Sequence, residues 1–136
     1  MNVRTRSFAS TADAASEASA FVLETADALG LSEDLAQQLL LVVGEAVANA
    51  AYHGNALDPE KAVVVECGVG RGEVRLCVED EGPGLPGGSL EGAALPDDLM
   101  QTRGRGLFIM KTIADRIWTE ADGRRVCISF RSPEVA

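Results

Sequence analysis

A single helical run, starting at Ser32 and reaching about His53, constrains the architecture more than any other stretch of the chain. Leu35, Leu39, Val42, Ala46 and Ala50 recur along it at three- and four-residue spacing, which makes one apolar stripe on one face of a helix. Ser32 stands where a capping hydroxyl is needed, Glu33 and Asp34 put negative charge in the first turn, and Gly54 and Asn55 end the run. A helix with one apolar face must bury it against another layer. The chain supplies that layer as strands. Ala62 to Val69 and Glu73 to Glu79 are apolar runs separated by Gly70-Arg71-Gly72, the signature of a hairpin turn. Val3 to Phe8 alternates like a half-buried edge strand, and Arg116 to Glu120 and Arg125 to Arg131 straddle a turn at Asp122-Gly123. A further helix is expected from Ser10 or Thr11, its cap, through Ala14, Ala18, Phe21, Val22, Thr25 and Leu29 to a stop at Gly30. Helical spacing also resumes at Leu107, Ile109, Met110 and Ile113. The expected fold is an α/β (α+β) two-layer sandwich, with helices on one face of a mixed, mostly antiparallel sheet.

At 136 residues the chain reads as one domain, 1–136, large enough to enclose a core without disulfides. No run approaches the roughly 18 apolar residues of a membrane span, and the N-terminus lacks the basic-then-apolar layout of a signal peptide. A cytoplasmic protein is expected. Cys67, Cys77 and Cys127 sit among Val, Leu and Ile without metal-type spacing, and read as buried apolar thiols in a reducing compartment. The net charge of −9 argues against nucleic acid or an anionic membrane as partner, because both reward clustered Lys and Arg.

Three short motifs carry the chemistry. Glu45 and Asn49 are four residues apart on the apolar helix, so they lie one above the other, and His53 falls on the same side one turn further. A carboxylate and a carboxamide there can both point at one phosphate-bound metal. The surrounding Ala46, Ala48, Ala50 and Ala51 permit close backbone approach. Asp80-Glu81-Gly82-Pro83-Gly84 closes a strand; Asp80 can accept from an exocyclic amine while Gly82 and Gly84 let a base lie against backbone. Arg103-Gly104-Arg105-Gly106-Leu107 opens a helix, where N–H groups and the positive end of the dipole favour an anion and the two arginines can reach phosphate oxygens. Each motif alone has an ordinary reading: a solvated helix face, a turn rich in Asp, Gly and Pro, a common glycine pair. Lys111 reads as a solvated surface charge. The Gly- and Pro-rich segment between the second and third motifs, 85–104, reads as a nucleotide lid that is unordered without its ligand.

In order and spacing the three motifs resemble the N, G1 and G2 boxes of the GHKL ATPase superfamily, which has the Bergerat fold. Val43-Gly44-Glu45-Ala46-Val47-Ala48-Asn49-Ala50-Ala51-Tyr52-His53-Gly54-Asn55 is similar to the N box of anti-sigma-factor serine/threonine kinases, and Arg103-Gly104-Arg105-Gly106-Leu107-Phe108-Ile109-Met110 to their G2 box. The resemblance runs from Phe8 to Phe130. It implies that Asn49 binds Mg²⁺ bridging the phosphates of ATP, that Asp80 bonds the adenine amine, and that Gly82 and Gly84 frame the base. It implies further that Gly104 and Gly106 close over the phosphates, with Arg103, Arg105 and Leu107 beside them. Glu45 is then the general base toward a serine of a partner.

The implied partners are an anti-sigma-factor antagonist and a sigma factor, and family members are commonly homodimers. The expectation is a stand-alone domain, without the phosphoacceptor helix pair or the transducer domain found in other branches of the superfamily. One departure from the family pattern stands near the last strand, where a Thr often follows the glycine and helps to bind adenine: Arg124 and Arg125 follow Gly123 here. A non-catalytic module that inhibits its partner by binding alone is the alternative.

Overall fold

The computed structural model describes residues 2–84, 109–133 and 135. Strand β1 (Asn2–Ala9) is followed by helices α1 (Ala14–Ala28) and α2 (Glu33–Asn49), a π-helical turn (Ala50–Gly54), and strands β2 (Ala62–Gly70), β3 (Glu73–Glu79), β4 (Arg116–Glu120) and β5 (Arg125–Arg131). A helical segment at 109–113 precedes β4. The strands form one sheet in the order β1-β2-β3-β5-β4, and among the described residues every pairing is antiparallel. Helices α1 and α2 pack on each other and on one face of the sheet. The two-layer α+β architecture follows the pattern of the sequence.

Alternation along each strand decides which residues meet the helices. Val65 and Cys67 of β2 stand opposite Val78 and Leu76 of β3, Val63 stands opposite Phe8 of β1, and all share a buried core with Leu39, Val42, Val43 and Val47 of α2 and Phe21 and Val22 of α1. Burying each of these large side chains contributes about 1.5–3 kcal/mol. The β2–β3 hairpin turns through Arg71 (φ 56°) and Gly72 (φ 75°), both left-handed, as a two-residue type I′ turn requires. The helix caps divide. Ser32 caps α2, its Oγ accepting from the Leu35 N–H at 3.2 Å. Helix α1 begins later than expected, with Asp13 as its N-cap. Ser10 is fully buried and donates instead to the Lys61 carbonyl at 2.7 Å, while Thr11 Oγ1 accepts from the Asp13 N–H.

The cysteines require a correction. Cys77 and Cys127 are direct cross-strand partners on β3 and β5, their Cα atoms 4.1 Å apart, and are joined by a disulfide. Opposed residues at a narrow antiparallel pair bring their side chains together, which spacing along the chain cannot reveal. The reading as a free buried thiol holds for Cys67, where burial raises the thiol from 9.0 to about 11 against the opposing influence of Arg4. That thiol is neutral and unreactive at physiological pH. Among the described residues no helix is long and apolar enough to cross a membrane.

Candidate functional site

The site forms where the end of α2 meets the end of β3. Helix α2 widens after Asn49 into a π-turn, in which the Asn55 N–H bonds the Ala50 carbonyl at 2.8 Å, five residues back. Such widened turns recur at functional sites, because one extra residue re-aims the side chains that follow. Here it presents Gly54 to the segment after β3. A Cβ on Gly54 would strike the Asp80 carboxylate, and one on Gly82 would strike the Gly54 carbonyl. The two glycines therefore bring backbone, carboxylate and helix end into direct apposition.

Asp80 is fixed from several directions. Its N–H donates to the Arg124 carbonyl at 3.0 Å, and its Oδ1 accepts from the Gly82 N–H at 2.8 Å. Gly84, with φ +85°, lies against the Asp122 carbonyl, so the segment after β3 runs between the helix end and the β4–β5 turn. Gly82 and Gly84 are thus needed for packing against the protein's own backbone, a requirement the sequence did not disclose. The arginines that depart from the family pattern have distinct surroundings. Arg124 supplies the carbonyl that holds Asp80, whereas the Arg125 guanidinium pairs with Glu66 at 3.3 Å, Glu79 at 3.7 Å and Glu120 at 3.0 Å. Sheet alternation puts that cluster on the face away from the helices.

Asn49 sits at the border between the buried and open arcs of α2. It is 9% exposed, and its Nδ2 has no hydrogen-bond partner among the described residues. A buried amide without a partner costs roughly 1–3 kcal/mol, so it calls for a ligand. Rotating the carboxamide exchanges Nδ2 for Oδ1, a hard oxygen donor. Among the described residues no three His, Cys, Asp or Glu side chains converge as a metal cage. A single hard oxygen at this place fits an ion that takes most of its ligands from elsewhere, as Mg²⁺ commonly does. Glu45, one turn earlier, is half-buried, while His53 and Lys111 are exposed. Arg103, Gly104, Arg105, Gly106, Leu107 and the whole of the expected lid, 85–104, lie outside the described residues.

Gly54 and Asn55 close the stretch that resembles the N box, and by residue type they read as a helix stop; their contacts with Asp80, Glu81 and Ser10 lie far along the chain and carry no local signal.

Gly82→Ala is expected to cost about 1–3 kcal/mol, because the added methyl would run into the backbone of Gly54, which cannot swing aside as a side chain can. Gly44→Ala is the internal control. Nothing lies within 4 Å of a Cβ there, and alanine in mid-helix is expected to add about 0.5–1 kcal/mol. Urea unfolding of the two variants checks both signs.

Residues 8–131 match the family model described as Histidine kinase-like ATPase domain. Over 86 residues, 59% of this chain and 60% of the relative, the sequence is 34% identical to an Anti-sigma F factor of Clostridium perfringens. Over 89 residues, 62% of this chain and 60% of the relative, it is 34% identical to the Anti-sigma F factor of Geobacillus stearothermophilus. The chain thus spans 60% of the length of these curated relatives. A solved structure of the RsbU and RsbW domains of Rv1364c from Mycobacterium tuberculosis superposes with a TM-score of 0.69 at 21% identity, covering 96% of this chain and 32% of that one. At that identity the likeness is one of fold.

Proposed function

The chain belongs to the histidine kinase-like ATPase domain family, and from that premise we propose that it is an anti-sigma-factor serine/threonine protein kinase. In this reading it is a cytoplasmic homodimer that binds ATP with Mg²⁺, sequesters a sigma factor, and phosphorylates a serine of the antagonist that would release that factor. The observation that carries the reading is Asn49: a buried carboxamide whose Nδ2 has no partner among the described residues, one helical turn beyond a half-buried carboxylate. Such a pair has little structural purpose and an evident one beside a phosphate.

The division of labour follows from the chemistry. Asp80 accepts from the adenine amine, with Gly82 and Gly84 framing the base. Arg103, Gly104, Arg105, Gly106 and Leu107 close over the phosphates, countering a polyphosphate charge that a chain of net charge −9 would otherwise repel. Asn49 offers its Oδ1 to Mg²⁺, which when bound neutralises charge on the phosphate oxygens. Glu45 accepts the proton of the serine hydroxyl. As that proton leaves, the serine oxygen bonds to the γ-phosphorus, the bond from the γ-phosphorus to the β–γ bridging oxygen breaks, and ADP departs. Phosphoryl transfer needs little beyond positioning, charge neutralisation and a held nucleophile.

Titration calorimetry with ATP and ADP, with and without Mg²⁺, tests the reading first. Micromolar-range binding that requires Mg²⁺ for the triphosphate is the expected result. Absence of nucleotide binding would refute the kinase and leave a module acting by protein contact alone.

A further inference from the structure

Asn55 joins three distant segments to the end of α2. It is 1% exposed, and every polar group it carries is occupied. Its Oδ1 accepts from the Glu81 N–H at 2.7 Å, and its Nδ2 donates to the Ala62 carbonyl at 3.0 Å and to Ser10 Oγ at 2.8 Å. The Ser10 hydroxyl in turn donates to the Lys61 carbonyl. The Asn55 carbonyl accepts from the Asp58 N–H at 3.0 Å. Glu81 completes a ring, its Oε2 accepting from the Ala62 N–H at 2.6 Å. Only a carboxamide suits this position, having an acceptor at one end and two donors at the other. An aspartate would face the Ala62 carbonyl with a second oxygen.

The bond to the Glu81 N–H fixes the peptide that joins Asp80 to Glu81. With the bond from the Asp80 N–H to Arg124, it anchors the backbone on both sides of the Asp80 Cα. Two such anchors determine where the carboxylate is aimed. The residues after Asn55 are left-handed, Ala56 with φ 52° and Leu57 with φ 56°, and each such turn costs roughly 1–2 kcal/mol in a residue with a Cβ. Without the Asn55 side chain the connection to β2 has reason to relax, and Glu81 would relax with it.

We infer that Asn55 is a positioning residue for base selection: without touching the nucleotide, it aims Asp80 and so sets the preference for adenine over guanine. This rests on the proposed role of Asp80. Adenine presents an amine where guanine presents a carbonyl oxygen, so a carboxylate held rigidly there accepts from one base and repels the other. A carboxylate free to swing does neither well.

Calorimetry of the full chain with ATP, GTP and inorganic tripolyphosphate, each with Mg²⁺, tests the assignment. The wild type is expected to favour ATP over GTP by more than about tenfold, and Asn55→Ala to narrow that ratio by about tenfold with tripolyphosphate affinity unchanged within about twofold. An equal loss for all three ligands overturns the positioning role. Glu81→Ala, at an exposed side chain, removes the other half of the ring and is expected to narrow the ratio by about threefold. If Asn55→Ala does not fold, Glu81→Ala alone decides. An undiminished ratio in Glu81→Ala, or in folded Asn55→Ala, while Asp80→Asn abolishes it, overturns the inference and leaves Asp80 in place. A wild-type chain that does not distinguish ATP from GTP overturns both.

Discussion

Replacing Glu45 by alanine is expected to slow phosphate transfer to the partner serine by about 10²- to 10⁴-fold, the range that a positioned general base supplies. The affinity for ATP is expected to stay within about twofold, because in the proposed mechanism Glu45 meets the hydroxyl and not the nucleotide. Structure gives this variant a clean interpretation. Glu45 is half-buried on the open arc of α2 and lies outside the core cluster, and alanine is the strongest helix former, so the helix itself is unharmed. Glu45→Gln keeps the shape and removes the proton-accepting oxygen. A rate of transfer in either variant equal to wild type, followed with labelled ATP and the partner protein, would remove Glu45 from the role.

Asn49→Ala is expected to separate stability from function. Its Nδ2 has no partner among the described residues, so the change deletes no bond through that atom and relieves a buried amide of its desolvation cost. Thermal stability is therefore expected to hold or rise in the absence of ligand. Affinity for ATP in the presence of Mg²⁺ is expected to fall by more than about tenfold, roughly 1.4 kcal/mol, whereas ADP binding measured without Mg²⁺ changes little. A residue kept at a cost to the folded state, and needed only with ligand, is the ordinary trade at functional sites. Equal Mg²⁺-dependent affinity in the two proteins would sink the metal assignment.

The elements of the fold were legible because their signals are local. The stripe from Leu35 to Ala50, the Ser32 cap and the Gly70-Arg71-Gly72 turn each depend on neighbours within a few residues, and the helix layer and hairpin followed from them. What escaped depends on contacts between distant segments. Ser10 looks like a helix cap by composition, but a buried hydrogen-bond chain through Lys61 and Asn55 claims its hydroxyl, and the N-cap falls at Asp13 instead. The π-turn after Asn49 leaves no mark in apolar periodicity, since Ala50 and Ala51 are buried in an α-helix or a wider turn alike. The same limit applies to the site. Glu45, Asn49 and Asp80 carry chemistry in their side chains and could be picked out, whereas Gly54 matters for the atom it lacks and Asn55 for partners up to 45 residues away. The union of Cys77 with Cys127 is a matter of strand register, which no count of cysteines conveys.

That union also has a topological consequence. The bond closes a covalent ring from Cys77 through Cys127, and Asp80, the glycines after it and the whole G2-like motif lie on its circumference. A protease that cuts the backbone once anywhere on this ring opens it without dividing the molecule: under oxidising conditions the nicked chain still runs as one species, and separates into two only when a reductant is added.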